Sequence, residues 1–134
     1  MEQKIKEILE KYDVTLGYLF GSYARGTNNK FSDIDVAVVF PVDISTRDVE
    51  ERKEKIISEI IKVALVNNVD LINLRENENV NLIYDIIFKG KAVLVKDERF
   101  KKFLELKAVR DFEDFKYFKN VQFEILKRKL NVAG

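Results

Sequence analysis

Apolar positions along the chain fall into short runs and helical stripes. Val14 to Phe20 is an apolar run rich in β-branched and aromatic residues and closed by Gly21, which predicts a buried strand. Ile34 to Phe40, ending before Pro41, predicts a second; Val69 to Leu74 predicts a third and Ala92 to Val95 a fourth. Ile5, Ile8, Leu9 and Tyr12 recur at helical spacing, giving a first helix that ends near Asp13. Ser45-Thr46-Arg47-Asp48 has the form of a helix cap. Behind it Val49, Ile56, Ile57, Ile60, Ile61, Ala64 and Leu65 line one face of a helix reaching about Val66. Val80, Leu82, Ile83, Ile86 and Ile87 predict a shorter helix to about Gly90, and Asp97 to Asn131, which lacks Gly and Pro, reads as one long helix or two in series. With a short helix starting after Gly21, the order is α, β, short α, β, α, β, α, β, α. This is an α/β (α+β) pattern: a small mixed β-sheet flanked by helices, with a long C-terminal helical segment.

At 134 residues the chain predicts one domain over 1–134, with a core at 1–96 and the helical segment at 97–134. Six of the ten phenylalanines lie in that segment, at Phe100, Phe103, Phe112, Phe115, Phe118 and Phe123. Packing on the domain's own sheet is one reading of them. A sheet of four strands is a small surface to cover all six, so an exposed face for a partner or a self-dimer is the other. Lys127-Arg128-Lys129 reads as a solvated helix terminus favoured by the helix dipole.

Two segments carry the chemistry. Gly21-Ser22-Tyr23-Ala24-Arg25-Gly26 follows the first strand directly: Gly21 lets the backbone approach a ligand, and Ser22 offers a hydroxyl and N–H groups where a helix starts, a place suited to anions. Ser32-Asp33-Ile34-Asp35-Val36 opens the second strand. Side chains alternate along a strand, so Asp33 and Asp35 share a face, roughly 6 to 7 Å apart. Two like charges that close repel unless a cation sits between them, and an oxygen-only set suits Mg²⁺. Asp70, in the otherwise apolar Val69-Asp70-Leu71-Ile72, is the candidate third carboxylate. Burying it unpaired would be costly, whereas beside Asp33 and Asp35 it would complete a metal-binding trio and could accept a proton from an attacking hydroxyl. A Gly-Ser turn or an Asp-x-Asp pair is often structural alone; here both stand, in order, at the ends of apolar strands. Arg25 and Lys30 are either phosphate contacts or solvated charge.

Composition narrows the chemistry further. Lys plus Arg number 24 against 23 Asp plus Glu, a net charge of +1, so there is no overall basic field for gripping nucleic acid, and none is expected as a direct substrate. With no cysteine there are neither disulfides nor thiolate metal sites. The lack of histidine is more useful, because it removes Ser-His hydrolysis and imidazole ligands and leaves carboxylates to do metal and base work near neutral pH. The charged start Met1-Glu2-Gln3-Lys4 is unlike a signal peptide and no run approaches membrane-spanning length, so a cytoplasmic protein with no membrane partner is expected.

Gly21-Ser22 followed by Ser32-Asp33-Ile34-Asp35 resembles the signature of the polymerase-beta-type nucleotidyltransferases. More narrowly, the chain is similar to the minimal nucleotidyltransferase (MNT) antitoxins, whose Gly-Ser-x-Ala-Arg-Gly pattern is matched by residues 21–26. The likeness extends to Asp70-Leu71 and to the Ile86-to-Leu94 segment around Gly90, and is loose beyond 97. The resemblance implies a polymerase-beta-like fold and ATP as substrate, with its triphosphate on Gly21 and Ser22 beside Arg25 and Ser32. It further implies two Mg²⁺ ions on Asp33, Asp35 and Asp70, and transfer of AMP. Relatives that modify antibiotics or extend RNA carry extra domains for the acceptor, so here the acceptor is expected on another protein. For MNT antitoxins that is a tyrosine of a HEPN ribonuclease toxin, silenced by adenylylation, in a homo-oligomer or a hetero-oligomer with the toxin. Two other readings stand beside this one: an aminoglycoside-type small-molecule nucleotidyltransferase working as a homodimer, and a non-catalytic antitoxin acting by occlusion.

Overall fold

The computed structural model of the protein describes residues 1–21 and 33–133. Its elements run α1 (Glu2–Lys11), β1 (Leu16–Phe20), β2 (Ile34–Val39), α2 (Thr46–Ala64), β3 (Val69–Asn73), α3 (Val80–Lys89), β4 (Lys91–Val95) and α4 (Glu98–Ala133). Every strand and helix predicted within these residues is present, with ends within about two residues of expectation. The short helix expected after Gly21 falls outside the described residues.

The four strands form one sheet in the order β3-β2-β1-β4. β1 runs antiparallel to both β2 and β4, while β2 and β3 are parallel and joined through α2. A parallel pair requires such a crossover, which is why a helix separates the two acidic strands in sequence yet leaves them adjacent in space. The sheet is covered on both faces. Leu19, Ile34, Val36, Val38 and Val69 pack with Ile5 and Leu9 of α1 and Ile56 and Ile60 of α2. On the other face Leu16, Tyr18, Ala37 and Val39 pack with Ile86 and Ile87 of α3 and Ala108 of α4. Each full burial of a Val, Leu or Ile is worth about 1.5–3 kcal/mol, so the central strands dominate the hydrophobic stabilisation.

Helix ends follow local chemistry. The Ser45 hydroxyl accepts from the Asp48 backbone N–H at 3.2 Å, the cap expected of that motif, and Asn79 caps α3 through Leu82 N–H at 3.1 Å. The face assigned to α2 needs one correction. Leu65 is not part of the buried stripe; it sits at the helix C-cap in the left-handed region (φ 55°) and is 85% exposed. Reversal of the backbone there turns the side chain off the helical face.

The C-terminal segment is a single helix of 36 residues, settling the choice between one helix and two. Its phenylalanines divide between packed and exposed positions. Phe100, Phe112 and Phe115 are half-buried, with Phe112 stacked on Tyr84 of α3 at 4.2 Å between ring centres, while Phe103, Phe118 and Phe123 are exposed.

Candidate active site

β2 is buried along its whole length except at Asp35. A carboxylate in such a strand has to be balanced by its surroundings, and the sheet register shows what surrounds it. Asp35 lies opposite Asp70 in the parallel β2–β3 ladder and opposite Phe20 in the antiparallel β1–β2 ladder. Neighbouring strands are about 4.8 Å apart, so the Asp35 and Asp70 side chains leave the same face side by side. That is the face of Ala37, Ile72 and Tyr18, covered further along by α3 and α4. Asp33, two residues before Asp35 and exposed, shares the phase of the pleat.

Electrostatics places both neighbours within reach of Asp35. Its carboxyl is raised above the usual carboxylate value, first by desolvation, then by the negative charge of Asp70, then by that of Asp33. All three effects oppose ionisation. The ladder sets Asp35 beside Asp70, and Asp33 lies near enough for its charge to act on Asp35, but the expected trio is not thereby assembled. It does not close completely: among the described residues no three acidic side chains stand close enough together to hold a metal ion. The ladder anchors Asp35 and Asp70, whereas Asp33 precedes the first paired residue of β2, Ile34, and no strand pairing fixes it.

Gly21 follows β1 immediately and adopts φ +71°, a conformation natural to glycine. A Cβ there would overlap a carboxylate oxygen of Asp35, with the carboxyl carbon 3.4 Å away. Gly21 therefore stands directly against the Asp35 carboxylate, and the glycine serves both backbone geometry and close approach. Ser22, Arg25, Lys30 and Ser32, the other residues expected near phosphate, lie outside the described residues.

One part of the neighbourhood was not anticipated. A cavity of about 180 Å³ beside Gly21 is bounded by Phe20, Leu82, Asp85, Lys89 and Gly90. Leu82, Asp85 and Lys89 occupy one side of α3 at helical spacing, and Lys89 pairs with Asp85 at 3.3 Å. Reading α3 for its apolar stripe alone passes over these polar positions. Gly90 is small for packing reasons, since a Cβ would stand 2.9 Å from the Leu19 carbonyl oxygen.

Comparison with known proteins bears on the family and the fold. The family model described as polymerase beta, nucleotidyltransferase matches residues 3–99. The protein adenylyltransferase MntA of Shewanella oneidensis is 36% identical over 94 residues, covering 69% of this chain and 63% of that relative, so the match spans less than two thirds of the relative's length. A chain in a crystal structure of a toxin–antitoxin with AMP-PNP superposes with a TM-score of 0.75 at 22% identity, covering 93% of this chain and 97% of that one. A chain in the structure of tri-AMPylated Shewanella oneidensis HEPN toxin with MNT antitoxin gives 0.67 at 21% identity, covering 93% and 94%. At these identities the solved structures establish the fold.

Proposed function

Because this chain belongs to the polymerase beta nucleotidyltransferase family, we propose that it is the antitoxin of a HEPN/MNT pair, a Mg²⁺-dependent protein adenylyltransferase that moves AMP from ATP to a tyrosine hydroxyl of its partner toxin. The observation that carries this reading is the cross-strand placement of Asp70 against Asp35, with Gly21 in contact distance. The names of the relatives support it, since the curated relative is a protein adenylyltransferase and the similar folds come from toxin–antitoxin structures.

In this reading the triphosphate lies along the Gly21-Ser22 turn, with Arg25 and Ser32 as further contacts. Asp33, Asp35 and Asp70 would hold Mg²⁺, which when bound lowers the charge on the phosphates and steadies the departing pyrophosphate. The acceptor oxygen forms a bond to the α-phosphorus as the bond from that phosphorus to the bridging oxygen breaks, releasing pyrophosphate. Asp70, an exposed carboxylate on the edge strand, accepts the hydroxyl proton in this reading. Residues 1–96 then form the catalytic unit, and 97–134 a segment available for docking.

The test first asks whether the adjacent reading frame encodes a small all-helical protein, and incubates that neighbour and this protein with ATP and Mg²⁺. Mass spectrometry is expected to find AMP on a tyrosine of the neighbour, no transfer with Asp35→Ala, and a loss of roughly 10²–10⁴-fold with Asp70→Asn. Transfer that persists in Asp35→Ala, or neutralisation of the neighbour without any AMP on it, would refute the proposal.

A further inference from the structure

Strand order gives the candidate site two flanks. In the arrangement β3-β2-β1-β4, Asp70 stands on the edge-strand side of Asp35, and Phe20 and Gly21 stand on the other. Phe20 lies directly opposite Asp35 in the antiparallel ladder, so its side chain leaves the sheet on the same face, one strand spacing of about 4.8 Å away. In displacement at phosphorus the attacking and leaving oxygens lie roughly in line. A protein-borne hydroxyl that gives its proton to Asp70 comes in over the exposed edge of the sheet, which leaves the β1 flank to the nucleotide. The recess beside Gly21 lies on that flank, between Phe20 and the Leu82, Asp85 and Lys89 side of α3.

The walls of the recess decide which part of a nucleotide it suits. Phe20 and Leu82 are apolar, and the two charges cancel, with Lys89 Nζ 3.3 Å from Asp85 Oδ1. Pyrophosphate carries several negative charges, so a wall of no net charge that includes a carboxylate offers it no attraction. An uncharged nucleoside matches these walls. Its base has a flat face to lay against Phe20 and Leu82, and its sugar hydroxyls are donors for a carboxylate, which once ionised only accepts. The Lys89 contact engages Oδ1 of Asp85 and steadies the group, and the second carboxylate oxygen remains as an acceptor. Asp85 and Lys89 are both exposed, so a ligand entering the recess can meet them.

We propose that this recess takes the nucleoside of ATP and that Asp85 accepts a hydrogen bond from a ribose hydroxyl, which makes the protein selective for ribonucleotides over deoxyribonucleotides. The proposal rests on the reading above that ATP binds at Asp35 and Gly21.

Isothermal titration of the full chain with ATP, 2′-deoxy-ATP, 3′-deoxy-ATP and pyrophosphate, each with Mg²⁺ and without an acceptor, tests it. ATP is expected to bind about 10–100-fold more tightly than the analogue that lacks the bonded hydroxyl. Asp85→Ala, at an exposed helical position, is expected to keep its circular dichroism spectrum and to bring ATP down to the affinity of that analogue. The analogue and pyrophosphate should then bind no more weakly than before. Equal affinity of the unaltered protein for ATP and both analogues overturns the proposal and leaves the nucleotidyltransferase reading in place, as does discrimination that survives Asp85→Ala. Pyrophosphate binding that weakens in step with ATP assigns the recess to the phosphates and also overturns it. A chain that binds no ATP in the presence of Mg²⁺ refutes the underlying reading together with this one.

Discussion

At Gly21 two demands meet in one residue: a positive φ and a Cβ position already occupied by the Asp35 carboxylate. Gly21→Ala is expected to cost about 1–2 kcal/mol in chemical denaturation from the left-handed backbone alone, and to weaken ATP binding beyond what the lost stability explains, because Asp35 has to move. Asp35 itself is held at a cost. Its folded pKa is raised, so the protonated form is the favoured one, and the associated stability is present below the ordinary carboxylate value and lost as pH rises through the raised value. Asp35→Asn is therefore expected to raise the melting temperature at neutral pH while removing activity. The advantage should fade as pH falls below about 4, which thermal unfolding across pH would check.

Helix α2 illustrates the scale of the element. Its start is specified locally by Ser45, and its end by a left-handed residue that is a leucine rather than glycine or asparagine. Leu65 is exposed and buries little, so Leu65→Gly relieves the backbone without opening a cavity. We expect a gain of about 0.5–1 kcal/mol in urea unfolding, with AMP transfer unchanged. The strands depend on partners instead: the alternation in Ile34-Asp35-Val36 places Asp35 on a face, and pairing with β3 decides that Asp70 shares it.

Across the whole molecule, order is unevenly shared. The sheet is packed on both faces, while α4 is anchored through its first half and free over its second. Hydrogen exchange is expected to show slowest exchange in β2 and β3 and fast exchange over residues 116–131 of the isolated chain. Among the described residues no helix is long and apolar enough to cross a membrane.

The elements and the place of the candidate site were legible in the chain itself, because both rest on local chemistry. Runs such as Val14 to Phe20 must be buried, Ser45 caps the helix that follows it, and Gly21-Ser22 ahead of Asp33-Ile34-Asp35 marks where phosphate and cation chemistry is to be sought. Asp70 was a weaker signal, suspected because an unpaired carboxylate is costly when buried in an apolar strand; it stands exposed on the edge strand, so that ground does not hold, and the register alone brings it to Asp35. What tertiary structure alone decided depends on residues far apart in sequence. The parallel β2–β3 register sets Asp70 against Asp35, the Asp35 carboxylate fills the space that a Gly21 side chain would need, α3 walls the recess beside them, and the extent of the domain's face divides the phenylalanines of α4 into those it covers and those it leaves exposed. Periodicity reports which side of an element is apolar; only the packed molecule determines how far along that side there is anything to pack against.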